Sequence, residues 1–275
     1  APRMEIAGAA LGTLLARTSE FLVTFGYILF KDKELGLRIK HLLHMPGEEF
    51  FSNYLRLGLP VLVSDGLLGL GGNIVSIILG HMGAAVVAAN AICQVIDRLF
   101  TVVIQGISNA SSIVTGHTLG EGSREKAMQQ GYTFYVLSIF FGLIAAVMVL
   151  ACGPLTIAMY TLNDETILMT EEMMGAYAVI VFFQCIQSVM TKGVLRGGGD
   201  TKFLMKADIL FMWLVSIPLG GVGGLLLDWP AWLTILALRV DYVIKSVWCI
   251  SRLKSGKWIH TADGIAEEEP EKVTG

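Results

Sequence analysis

Asn90, Gln94, Asp97, Thr101, Gln105, Ser108, Ser112 and Thr115 recur at steps of three and four within an otherwise apolar run. At about 100° per residue they share a narrow arc of one helix face. Exposing such groups to lipid tails is strongly unfavourable, so the face must meet other helices or water. One or two polar residues read as packing contacts between helices. A stripe along the whole helix favours the wall of a water-filled cavity, with polar packing as the competing reading. Asp97 and Arg98 are sequence neighbours and do not face each other as an i, i+4 pair would. Arg98 falls at the edge of the stripe. A charge this deep in an apolar run marks a functional site unless a structural network compensates it.

Three further constellations sit in apolar runs. Asp65, Gly69, Gly72, Asn73 and Ser76 share one side of a helix in which Asp65 follows Pro60 by five residues. The glycines suit close helix approach, whereas an acid beside proline-freed backbone suits a bound cation or proton. Asp65 and Asp97 are therefore the ion-coupling candidates. Gln184, Gln187, Ser188 and Thr191 group on another helix and suit a cavity wall or a helix interface equally well. Arg17 with Glu20, and Asp241 with Lys245, are spaced to neutralise each other. Cys93, Cys152, Cys185 and Cys249 lack metal-ligand spacing and read as packed thiols. The pattern calls for no metal or cofactor.

The elements that must position these residues are membrane helices. Of 275 residues, 54% are hydrophobic and only 16% charged, against roughly a quarter charged in a soluble domain. Crossing a bilayer takes about 20 mostly apolar residues. Seven runs qualify in the sequence, roughly 4–30, 54–79, 85–115, 131–152, 168–191, 203–225 and 230–250. The expected fold is all-α and polytopic. Alternate loops carry cations: Lys31, Lys33, Arg38 and Lys40; Arg124 and Lys126; Lys192, Arg196, Lys202 and Lys206; Arg252, Lys254 and Lys257. The loops around 80–84, 153–167 and 226–229 hold no Lys or Arg. By the positive-inside rule the first residue lies outside and the last in the cytoplasm, with Trp229 and Trp232 at an outer interface. Residues 31–53 read as a cytoplasmic linker with amphipathic character. Residues 259–275, rich in Glu, read as a disordered acidic tail.

The most distinctive stretch is Val194-Leu195-Arg196-Gly197-Gly198-Gly199-Asp200-Thr201, a tight cationic turn between two apolar runs. Glycines let the backbone reverse where a Cβ would clash, and four nearby cations place Asp200 at the surface. This turn resembles the loop between the tenth and eleventh helices of multidrug and toxic compound extrusion (MATE) transporters. Residues Gly80 to Asn90 resemble that family's entry into its eighth helix, and Gly116 to Gly122 the loop after it. The resemblance implies that residues 1–30 are the last helix of a preceding lobe and 54–258 a six-helix C-terminal lobe. It also fits the absence of an initiator Met, which reads as a fragment lacking an N-terminal lobe.

The implied function is half of a Na⁺- or H⁺-coupled multidrug antiporter exporting organic cations or other amphipathic drugs by alternating access, and not an enzyme. A bacterial plasma membrane is the expected location. The cavity residues would be Asn90, Gln94, Asp97, Arg98, Thr101, Gln105, Gln184 and Gln187. The sequence departs from the family pattern where the helix carrying Gln184 and Gln187 has no acid in its core. A lipid-precursor flippase of the same superfamily would share the fold but show a more cationic cavity. A seven-helix receptor matches the helix number and no signature. An intramembrane aspartyl protease matches Gly197-Gly198-Gly199-Asp200 formally, but needs two aspartates within the membrane.

Overall fold

A computed structural model describes residues 5–30, 48–160 and 163–259 of the chain. Of the expected linker at 31–53, residues 31–47 lie outside the described residues and 48–53 are helical; of the expected tail at 259–275, residues 260–275 lie outside them and Ile259 is buried. All regular structure among the described residues is helical. The helices are α1 (Glu5–Phe30), α2 (Glu48–His81), α3 (Ala84–Gly120), α4 (Arg124–Ile157), α5 (Asp164–Leu195), α6 (Thr201–Leu225), α7 (Ala231–Leu238) and α8 (Val240–Ser255). Two compact units divide the chain, residues 1–54 and 55–275. In the first unit, Arg17 and Glu20 form the expected ion pair on α1, at 2.8 Å and largely exposed.

Five helical stretches in the second unit are long and apolar enough to cross a membrane: Gly58–His81, Ala84–Gly120, Arg124–Ile157, Asp164–Leu195 and Thr201–Leu225. The most apolar window of α5 is 72% buried, while the other four range from 22% to 33%. So α5 is the central post, packed by α3, α4, α7 and α8. The surrounding helices turn Leu62, Val102, Ile113, Val136 and Leu155 outward, the surface that lipid covers. The sequence reading of a continuous seventh span at 230–250 is corrected. The helix breaks at Arg239, whose φ of −118° and ψ of 12° lie outside the helical range. The break is held by polar groups: the Asp241 N–H, in the first turn of α8, donates to Ser216 Oγ at 2.9 Å, satisfying a donor that a helix start leaves free.

Both α5 and α6 change pitch. Val189–Leu195 and Ile209–Ser216 are π-helical. In α5 the change follows a local side-chain knot. Thr191 Oγ1 donates to the Gln187 carbonyl at 2.8 Å, and Gln187 Nε2 donates to Thr191 Oγ1 at 2.9 Å, the kind of back-bonding that perturbs a helix ladder. Helix α2, by contrast, runs unbroken through Pro60. The unwound backbone expected beside Asp65 does not form, because a helix can absorb the one hydrogen bond that proline removes.

The cation-bearing turns of this unit gather at one end. Arg124 donates to the Gly256 carbonyl at 3.2 Å, and Arg252 Nε meets Asp200 Oδ2 at 2.7 Å. The glycine turn works by close approach as much as by reversal. Only Gly199 of its three glycines has positive φ, at 83°. A Cβ on Gly198 would run into the Trp258 ring, and one on Gly197 would sit 2.6 Å from the Ser112 carbonyl oxygen. Trp258 is fully buried, with Leu195, Leu253 and Cys249 in the same cluster. Asp200 is 4% exposed. Its expected place at the surface is therefore corrected: Arg252 swings across the turn and neutralises it under cover of α8.

Candidate substrate and ion site

The α3 stripe divides into three zones. Asn90 is buried and accepts a hydrogen bond from Tyr177 Oη at 2.7 Å. At the far end Ser108 donates to the Ser188 carbonyl at 2.9 Å, Ser111 to the Ser108 carbonyl at 2.8 Å, and Thr115 is fully buried. Gly193 of α5 approaches the Ser111 hydroxyl. Asn90, Ser108, Ser111 and Thr115 are thus buried among helices, Asn90, Ser108 and Ser111 by polar contacts, which corrects the reading of one cavity wall along the whole helix, while Ser112 between them is half-buried. The middle is different. Gln94, Asp97, Thr101 and Gln105 are half-buried, and Asp97 Oδ1 is buried without a hydrogen-bond partner among the described residues. Thr101 bridges neighbours, donating to the Asp97 carbonyl at 2.8 Å and accepting from Gln184 Nε2 at 3.4 Å. Arg98 is exposed and stands off this face.

A cavity of about 650 Å³ opens beside the middle and lower part of the stripe. Its walls are Asp65 and Leu68 of α2, Gln105, Asn109, Ser112 and Ile113 of α3, and Lys192 and Arg196 of α5. Its size lies within the roughly 300–1,000 Å³ of small-molecule sites. Asp65 is half-exposed and paired with Arg196, Nη2 to Oδ1 at 3.3 Å. Arg196 Nε has no partner among the described residues.

Behind it lies a buried ionic cluster that sequence reading did not assemble. Lys245 Nζ bridges Asp208 Oδ1 at 2.8 Å and Asp241 Oδ2 at 3.1 Å, with the lysine side chain 1% exposed. Ser64 donates to Asp208, and Ser216 to Asp241 at 3.3 Å. Three helices, α2, α6 and α8, are pinned here. A cavity of about 160 Å³ next to the cluster is lined by Leu68, Gln187, Lys192, Met212, Arg239, Asp241, Tyr242 and Lys245. Arg239, at the helix break, donates to Tyr242 Oη at 3.0 Å and lies over the same ring. A third space of about 10 Å³ adds Thr191, Leu204 and Asp208 to Gln187, Leu68, Lys192 and Arg196.

The structure thus brings Asp65 and Gln105 to one cavity, Gln184 against Thr101, and Gln187 into the inner recess, while Asn90 and Arg98 lie elsewhere. Asp208 and Arg239 were missed, although an ionisable residue inside an apolar run is itself the signal. The i, i+4 spacing of Asp241 and Lys245 implies a local pair, but its third member comes from α6.

Helices of this length around a partly polar interior define a multi-pass integral membrane protein. The chain matches the MatE family model over residues 60–222, more than half its length, and belongs to that family. It is 26% identical over 225 residues to the multidrug resistance protein MdtK of Photorhabdus laumondii, covering 82% of this chain and 49% of that protein. It is 27% identical over 264 residues to the probable multidrug resistance protein NorM of Thermotoga maritima, covering 94% and 54%. An outward-facing structure of a multidrug resistance MATE family transporter of the MOP superfamily superposes with a TM-score of 0.74 at 19% identity, covering 91% of this chain and 57% of that one. The chain spans about half the length of the curated relatives it matches.

Proposed function

We propose that the chain supplies one lobe of a multidrug efflux antiporter, in which entry of Na⁺ or H⁺ drives export of amphipathic organic compounds by alternating access. Its relatives named for multidrug resistance support this reading, and their doubled length supports a second lobe opposite this one. The observation that carries it is the half-buried middle of the α3 face, where Asp97 holds a carboxylate oxygen without a partner. Arg239 and Arg98 lie near enough to act on this carboxylate, yet neither hydrogen-bonds the buried oxygen, and an ionisable group left so in an apolar run is the group to expect at a ligand site. Asp97 offers its charge to an organic cation or the coupling ion, and Gln94, Thr101, Gln105 and Gln184 line the path. Asp65 takes the coupling ion when Arg196 releases it, so the Asp65–Arg196 contact is the exchangeable element.

Binding and transport, not bond-making chemistry, are the activity, and the cationic ends of the helices face the cytoplasm. The test is binding of rhodamine 6G to the purified chain together with vesicle efflux under an imposed gradient. Saturable binding that Asp97→Asn weakens about tenfold, equivalent to roughly 1.4 kcal/mol, with no efflux from the chain alone, is the expected result. Gradient-driven efflux by the isolated chain, or dye binding indifferent to Asp97→Asn, would contradict it.

A further inference from the structure

The charge in the 650 Å³ cavity is of the wrong sign for an organic cation. Its walls carry two cations, Lys192 and Arg196, against one carboxylate, Asp65. That carboxylate is already engaged by Arg196 at 3.3 Å. No carboxylate among the described residues pairs with Lys192, and Arg196 Nε is buried with no acceptor. Lys192 is no stray surface cation, because it lines all three neighbouring cavities. It stands one helical turn from Arg196, i to i+4, so both reach the same space. Gln105, Asn109 and Ser112 on the opposite wall add amide and hydroxyl donors. Free donors with fixed positive charge around a roomy recess are the chemistry of oxyanion recognition.

We propose that this cavity binds the anionic group of an amphipathic ligand, a phosphate, carboxylate or sulfonate held between Lys192 and Arg196. The inference rests on the reading of this lobe as a transporter half and adds to it a subsite of charge opposite to Asp97. Asp97 and Gln105 are eight residues apart on α3, about 12 Å along the axis at 1.5 Å per residue. The two subsites therefore lie at different depths of one face. Lys192 would supply a point charge and Arg196 the outer donors of its guanidinium. Asp65, the one acid in the walls, would oppose the ligand.

Equilibrium binding to the chain in phosphatidylcholine nanodiscs tests this with three fluorescent probes. Fluorescein is a soluble organic anion, a labelled lysophosphatidic acid presents a lipid phosphate, and rhodamine 6G is the cation. At least one anion should bind saturably, and which one binds separates a soluble source from a lipid source. Lys192→Gln should weaken that binding about tenfold, on the scale of one charge-assisted hydrogen bond, and leave rhodamine 6G unaffected. Asp65→Asn, a change at a half-exposed position, should tighten anion binding about threefold or more on removal of the opposing charge. It decides the matter even if Lys192→Gln fails to fold. Absence of saturable binding of either anion, or an affinity unmoved by Asp65→Asn, would overturn the subsite. Loss of the anion site with Asp97-dependent rhodamine 6G binding intact would leave the efflux reading standing. The reverse pattern would remove that reading and keep the anion site.

Discussion

Two charged clusters share the walls formed by Leu68 and Lys192, and they are built in opposite ways. In the Asp208–Lys245–Asp241 cluster every charged group is buried and has polar partners: one ammonium bridges two carboxylates, each also held by a serine hydroxyl. In the Asp65–Arg196–Lys192 cluster the acid is 52% exposed, one guanidinium nitrogen is orphaned, and Lys192 has no acid partner among the described residues. A closed cluster fixes helices, since any change strands a charge in low dielectric. An open one leaves donors available to something that comes and goes. The contrast separates the groups that hold α2, α6 and α8 together from those placed to bind.

Breaking the closed cluster should have the largest effect. Lys245→Met leaves Asp208 and Asp241 buried without their cation and should lower stability by about 3–5 kcal/mol, read as a sharp drop in melting temperature in detergent. A melting temperature close to the parent's would mean that the cluster is not what pins these helices. Next comes the glycine turn. Gly198→Val drives a side chain into Trp258, and overpacking of this kind should remove about 1–3 kcal/mol. Its signature is a lower yield of folded protein with unchanged relative affinity for different dyes. Asp97→Asn belongs to the open side, with binding of cationic dyes lost before that of neutral ones and little change in melting. Smallest in stability is Asp65→Asn. A half-exposed pair of this sort contributes no more than about 1 kcal/mol, so melting should barely move while ligand affinities do. A loss as large as that of Lys245→Met would erase the distinction between the clusters.

The sequence made the helices legible because apolar runs of spanning length have few other solutions. It also marked the middle of the α3 stripe. Periodicity gave no means of seeing that Ser108 and Ser111 pack against Ser188 and Gly193, since a polar face looks the same against water as against a neighbouring backbone. Asp208 stands out as an acid in an apolar run, but its role is set by Lys245, which is remote in sequence. Asp200 was misplaced for a related reason. Nearby cations suggest surface, but Arg252 reaches it from α8, and Trp258 closes the turn from beyond the end of α8. The break at Arg239 depends on Ser216 of α6, a partner that no local pattern reveals. Local chemistry carried through wherever its partner lay within a turn or two, and failed where the partner came from another helix.

The central claim is that the lower α3 face opens on a ligand site while the α8 cluster is closed. Its most direct test is thiol accessibility in membranes. Cys93, Cys152, Cys185 and Cys249 would first be replaced by Ala, and Gln105→Cys compared with Ser246→Cys, a buried position on α8. A charged methanethiosulfonate should label Gln105→Cys rapidly, bound ligand should slow that labelling, and Ser246→Cys should stay inert. If Gln105→Cys is as inert as Ser246→Cys, or is labelled at a rate that no cationic or anionic dye changes, the cavity is not a ligand site and the contrast between the two clusters fails.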